Sequence, residues 1–149
     1  MTIFEQLDSI FAGADPWPAA LEAVVKHVKA DSGTIHTMGS DGMLHLKAAS
    51  AGIPPQVLAI VQTVPVGKGM AGLAAERRVP VTICNIQTDT SGDVRPGAKA
   101  TGLEGAIALP MLRGGDVAGV LGVANRQERT FTEEETGLLL EIGKVLAAR

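Results

Sequence analysis

The chain of 149 residues carries 13 basic and 16 acidic side chains, a net charge of −3, with 46% hydrophobic and 19% charged residues. That balance excludes disorder, and no apolar run approaches the roughly 18 residues of a membrane span. Basic residues are scattered rather than clustered, which argues against nucleic acid as a partner, and the lone cysteine, Cys84, excludes an intrachain disulfide or a thiolate zinc cluster.

A chain of this length buries roughly two-thirds of its extended surface, so one domain over residues 1–149 is expected. Glu5 and Asp8 interrupt the start of the chain with no basic segment before an apolar one, which argues against a secretory signal and for a cytoplasmic location. Ile3, Phe4, Leu7, Ile10 and Phe11 recur at helical spacing. Asp15-Pro16 then reads as a cap followed by proline at the first helical position, opening a second helix with Leu21, Val24, Val25 and Val28 on one stripe and a stop near Asp31-Ser32-Gly33.

Thr34 to Met38 and Met43 to Ala49 flank Gly39-Ser40-Asp41-Gly42, which reads as a β-hairpin with a four-residue turn. That register sets Met38 opposite Met43, His36 opposite His45 and Thr34 opposite Lys47 on one face, with Ile35 opposite Leu46 and Thr37 opposite Leu44 on the other. Two imidazoles would then share a face within reach of one metal or anion. Pro54-Pro55 starts a short helix over Val57 to Val61, Val64-Pro65-Val66 is briefly extended, and a second short helix runs from Met70 to Arg77. Gly67-Lys68-Gly69-Met70-Ala71-Gly72 matches GxGxxG with Asp89 downstream, yet the strand before it is short and contains Pro65, so it reads as a tight turn rather than a dinucleotide site. Glycines that open a helix still leave N–H groups free for an anion.

Val81 to Cys84 is a short strand, and Gln87 to Lys99 is a long polar loop of the kind that forms lids or binding segments. Cys84 itself reads as a small buried hydrophobe, or as a reactive thiol if Arg95 or Lys99 lies beside it. Gly105 to Leu112 and Val117 to Asn125 flank a Gly114-Gly115 turn, and Leu112 opposite Val117 sets Leu109 against Val120 and Ala108 against Leu121. Both strands are apolar on both faces, so something must cover each side. The last helix starts at Thr132 with Glu135 three residues on, a capping box, and carries Leu138, Leu139, Ile142, Val145 and Leu146. Antiparallel strands framed by terminal helices make an α+β fold.

Three stretches, Val66-Gly67-Lys68-Gly69-Met70-Ala71-Gly72-Leu73-Ala74 with Arg78-Val79-Pro80-Val81, then Ala108-Leu109-Pro110-Met111, then Gly119 to Asn125 followed by Phe131-Thr132, resemble the GAF domain family over nearly the whole chain. The resemblance implies a GAF-like (profilin-like) antiparallel sheet of five or six strands. Terminal helices would cover one face, and short helices with the long loop would roof a ligand chamber on the other. Pocket contacts in such relatives map to Met70, Ala71, Thr101 and Gly122. The Asn-Lys-Phe-Asp-Glu signature of cyclic-nucleotide-binding relatives reads here as Asn125, Arg126, Phe131, Glu135 and Thr136, a departure at three of the five positions, and no histidine follows Cys84 as bilin attachment requires.

The expected function is therefore that of a sensory or regulatory module without enzymatic activity, binding an unidentified small, partly apolar molecule; no cofactor is specified and no metal site is expected. The chamber is expected to be lined by Met70, Ala71, Cys84, Ile107, Leu109 and Val123, with Asp89, Arg95, Lys99 and Thr101 from the loop and Asn125 nearby. Binding would order the lid, the stripes on 3–11 and 133–148 would pair two copies as a homodimer, and a signalling protein would be the further partner. The alternatives are a redox or metal-dependent sensor or reductase, akin to free methionine-sulfoxide reductase, using Cys84 with His36 and His45, and an interaction module whose chamber is collapsed. The reductases need a resolving cysteine, which this chain lacks.

Overall fold

The computed structural model describes residues 1–94 and 96–149. Two helices open the chain, α1 (Ile3–Phe11) and α2 (Pro16–His27). Thr2 caps α1 by accepting from Glu5 N, whereas Asp15, at the head of α2, adopts a left-handed conformation and makes no side-chain cap. The strands are β1 (Ser32–Met38), β2 (Met43–Ala49), β3 (Thr63–Pro65), β4 (Val81–Ile83), β5 (Gly105–Arg113) and β6 (Asp116–Asn125). Short helices α3 (Pro55–Val61) and α4 (Gly69–Arg77) and a 3-10 helix, Pro96–Thr101, interrupt them, and α5 (Glu133–Ala147) follows β6. The strands form one six-stranded sheet in the order β3-β2-β1-β6-β5-β4, antiparallel throughout.

The capping box at the head of α5 forms in both directions, Glu135 N donating to Thr132 Oγ1 and Thr132 N donating to a Glu135 carboxylate oxygen. Three glutamates occupy its first turn, where the positive end of the helix dipole favours them.

Both hairpins keep the expected strands and change the expected pairing. In the first, Gly39 N donates to Met43 O, so Gly39 belongs to the ladder and the loop shrinks to Ser40-Asp41-Gly42, with Gly42 at φ +76° in the left-handed region such a loop needs. Met38 therefore faces Leu44, Thr37 faces His45 and His36 faces Leu46; past a bulge at Lys47, Ile35 faces Ala48 and Thr34 faces Ala49. A one-residue slip exchanges the faces, so His36 and His45 lie on opposite sides of the sheet and the expected imidazole pair is absent. In the second hairpin Gly114 and Gly115 both have positive φ, and Leu112 faces Val117 as expected. A bulge at Ala118 then moves Leu109 opposite Leu121 and Ala108 opposite Gly122.

The parity that results divides the sheet by side-chain size. Ile107, Leu109, Met111, Leu121 and Val123 point to one side, where they pack with Ile35 of β1, Leu7 of α1, Leu21 and Val24 of α2, and Leu139, Ile142 and Leu146 of α5. The other side carries Ala106, Ala108, Gly122 and Ala124, and only toward its far end does a second cluster close, with Val120 against Leu44, Val64, Ala74 and Val81. Leu109 is thus a core residue of the helix side, fully buried. Leu109→Ala is expected to lower unfolding stability by about 2–5 kcal/mol in urea titrations, the cost of a large-to-small change at such a site; a loss below about 1 kcal/mol would place Leu109 outside that core.

Candidate functional site

On the sheet face away from the terminal helices lies an apolar chamber of about 200 Å³. Its floor is the small-residue side of the sheet, Ala106 and Ala108 of β5 and Gly122 and Ala124 of β6, with Ser32, Thr34 and His36 of β1. At Gly122 a Cβ would come 3.2 Å from Thr34 Oγ1, so even one methyl group crowds the floor. Val57, Ile60 and Val61 of α3, the first turn of α4, and Val94, Ala98, Thr101 and Leu103 of the long loop form the roof.

Two polar features border this apolar space. His36 is 2% exposed, and its Nε2 lies 2.9 Å from Val61 O. A carbonyl only accepts, so Nε2 carries the proton and Nδ1 of the neutral ring is a bare acceptor, which is buried and finds no donor among the described residues. Such a group costs about 1–3 kcal/mol, offset in part by the bond that fastens α3 to the sheet. The second feature is the head of α4. Lys68 occupies its cap position without a side-chain cap bond, no acidic residue lies in its first turn, and Gly72 N is the first to bond back, to Lys68 O. Lys68, Gly69, Met70 and Ala71 all border the chamber, which leaves a positive helix end turned to it.

The roof loop is tied to its own base. Gln87 Nε2 donates to Lys99 O and Leu103 O, Gln87 N donates to Asn85 Oδ1, and Thr101 Oγ1 donates to Ala98 O while accepting from Leu103 N. Asp93 pairs with Arg77 of α4 at 3.5 Å.

Of the residues expected around a ligand, Met70, Ala71 and Thr101 border the chamber. Ile107 and Val123 border it too, but strand alternation sends their side chains into the helix-side core. Leu109 does not, for the same reason of parity. Cys84 is exposed rather than buried, because β4 ends at Ile83 and the chain leaves the sheet there; it is not among the residues lining the chamber. Asp89 holds Ser91 in a local turn, and Lys99 is exposed, its carbonyl taken by Gln87. Arg95 lies outside the described residues. Cys84, His36 and His45 do not converge, since His45 is exposed on the opposite face and bonds Asp41 of its own turn, and no group of three metal-binding side chains occurs among the described residues.

A family model described as the GAF domain matches residues 18–148. The chain belongs to the GAF domain family. Solved structures agree in fold: the GAF domain of an Acinetobacter phosphoenolpyruvate-protein phosphotransferase superposes with a TM-score of 0.79 at 19% identity, covering 98% of this chain and 89% of that one. Its counterpart from Coxiella burnetii gives 0.79 at 21%, with the same 98% and 89% coverage. A free methionine-R-sulfoxide reductase from Neisseria meningitidis, solved with its substrate, gives 0.76 at 18%, covering 98% and 84%. No curated protein sequence matches the chain.

In this GAF domain Asn125 serves the framework rather than the chamber. Its Nδ2 donates to Lys29 O, and its Oδ1 accepts from Arg129 Nη1. Arg129 also reaches Lys29 O, Val28 O and Glu135 Oε2, and lies 4.2 Å above the Phe131 ring. It thereby joins the end of α2, the end of β6 and the head of α5. Arginine was the residue type to look for between Asn125 and Glu135, because only a guanidinium has donors for four partners, but a sequence carrying Arg126 and Arg129 so close together does not tell which one turns inward.

Burial holds the His36 imidazole below its ordinary value of 6.5, the bond to Val61 O opposes this, and His45 adds a small repulsion in the same direction as burial. Below 6.5 the unfolded chain takes up a proton that the folded one refuses, so the stability due to neutral His36 is full above 6.5 and is lost as pH falls through the lower folded-state value. Glu135, held down chiefly by the Thr132 N–H and then by Arg129, and Asp41, held down chiefly by His45, act only further into the acid. Urea midpoints are therefore expected to drop as the pH is lowered from just above 6.5, and His36→Gln is expected to flatten that first decline. An unchanged decline in the variant would assign it to other groups.

Proposed function

We propose that this GAF domain is a sensory or regulatory module whose chamber takes a small monoanion with an apolar body, about one ring or a short branched chain in size. The observation that carries the reading is the small-residue floor, which leaves about 200 Å³ of apolar space. An engineered apolar cavity of about 150 Å³ holds benzene, so one ring with a substituent fits the volume. The uncapped head of α4 with Lys68 supplies a place for the negative charge. A carboxylate is preferred, being small and able to accept two N–H groups. The Neisseria relative, solved with its substrate, lends the general idea that this fold accommodates a small molecule.

On this reading Thr101, Ala98 and Leu103 meet the ligand from the roof, and the bonds of Gln87 tighten as the loop closes over it. The half-buried apolar residues Phe4, Ile10, Leu138 and Val145 of α1 and α5 would pair with a second copy, so the assembly is a homodimer acting on a signalling partner from the cytoplasm, with residues 1–149 as one domain.

A thermal-shift screen of single-ring and short branched carboxylates against their amides tests the reading. A bound acid at about 100 times its Kd is expected to add roughly 2.7 kcal/mol, the matching amide much less, and Gly122→Val, which fills the floor, is expected to abolish the shift while leaving the protein folded. Equal shifts from acids and amides would remove the α4 subsite, and no shift from any compound would remove the chamber as a binding site.

A further inference from the structure

The helix side of the sheet holds a second cavity, of about 380 Å³, which the chamber reading does not use. It opens between the start of α2, the end of β1, the tip of the β5–β6 hairpin and the end of α5, and its wall includes Trp17, Met111, Arg113, Asp116, Leu146 and Arg149.

Trp17 is the one tryptophan of the chain. Phe11 holds it edge to face, 5.1 Å between ring centres at 87°, and Lys47 Nζ lies 5.8 Å from its ring. Arg113 stands opposite Asp116 across the hairpin but forms none of the ion pairs among the described residues; its Nε and Nη2 both donate to Ala147 O at the end of α5. A guanidinium has five N–H groups, so the rest of the fork is left for another acceptor. Arg149 pairs with Asp8 through Nη2 and lies 5.0 Å over the Phe11 ring. Arg113 and Arg149 thus line the cavity beside Trp17, with Lys47 near that ring, while Asp8 is paired with Arg149 and Asp116 is the acidic side chain of the wall. The bulge at Ala118 places a small side chain here and keeps the space open.

We infer that this cavity is a second binding site, for a planar aromatic anion whose ring lies against Trp17 and whose carboxylate or phosphate is received by Arg113 and Arg149. Its volume falls within the usual range for small-molecule pockets, roughly 300–1,000 Å³. Guanidinium groups suit planar and phosphate oxygens alike. An occupant would compete for the guanidinium that closes the end of α5, so this site is placed to act on that helix without entering the chamber.

Because the chain has one tryptophan, a nitrogen-15 correlation spectrum of the protein contains one indole N–H signal, which reads this cavity directly. Titration with naphthoate and with AMP separates the carboxylate from the phosphate form of the ligand. At least one of them is expected to move the signal saturably, with adenosine, naphthamide and inorganic phosphate each binding about tenfold more weakly or worse. Arg149→Gln is expected to weaken binding about tenfold, Asp116→Asn to tighten it, and Gly122→Val, which fills the chamber, to leave it unchanged. The site is refuted if neither anion moves the signal at about ten millimolar, if the uncharged analogues bind equally well, or if Arg149→Gln has no effect in a folded protein. A signal that moves with protein concentration alone would instead assign the cavity to contact with a second copy.

Discussion

The central ribbon of β5 and β6 must satisfy two different neighbours at once, and it does so by side-chain size. Toward α1, α2 and α5 it offers Ile107, Leu109, Met111, Leu121 and Val123, which interlock with helix side chains and bury completely or nearly so. Toward α3, α4 and the long loop it offers Ala106, Ala108, Gly122 and Ala124. The first set supplies the apolar area that holds the fold together. The second is too small to fill the distance to the roof, so a hollow remains wherever α3 and the loop span it. Stability and the chamber are therefore the two faces of one alternation, and a shift of one residue would ruin both.

The roof is not isolated from the helices beneath the sheet. Asn85, at the base of the loop, donates to Glu104 and Glu128, and Cys84 O accepts from Arg129 N. Arg129 in turn grips Glu135, which belongs to the capping box of α5. A continuous set of polar bonds thus runs from the loop over the chamber, around the sheet edge, to the first turn of the helix on the far side. The opposite end of α5 is closed by Arg113 from the hairpin tip. One end of this helix is thus held by a residue that borders the second cavity, and the other by one bonded to the foot of the roof loop.

The elements of the fold were legible because each has a local cause. Gly114-Gly115 makes a primed turn, Thr132 with Glu135 makes a capping box, and the apolar spacing of Leu139, Ile142 and Leu146 makes a buried stripe. What the sequence did not disclose is where a ladder gains a residue. Nothing about Lys47 or Ala118 marks them as bulges, yet the one at Ala118 moves Leu109 from Val120 to Leu121, while His36 and His45 are already parted at the turn, where Gly39 joins the ladder and shortens the loop. Of the residues chosen for the chamber, Met70, Ala71, Thr101, Ile107 and Val123 border it, and Leu109 does not, for a related reason. Large apolar side chains drew attention to Leu109, Ile107 and Val123, whereas a cavity forms where side chains are small, so Ala106, Ala108 and Ala124 were the better signal. Cys84 was misplaced because a short edge strand ends one residue earlier than its apolar run suggests.

The sheet order has a consequence for how the chain reaches this structure. β1 lies in the middle of the sheet, hydrogen-bonded on one flank to β2, its neighbour in sequence, and on the other to β6, from the last third of the chain. The two terminal regions also share one core, where Leu7 and Leu21 pack with Ile142 and Leu146. The first half of the protein therefore emerges from the ribosome with an unfinished strand edge and an uncovered apolar layer, and it must wait for the second half before either is closed. High contact order of this kind slows folding and exposes nascent chain to mispairing. Within the sheet, the β1–β2 hairpin is the pairing whose contacts are local and need nothing from the second half of the chain.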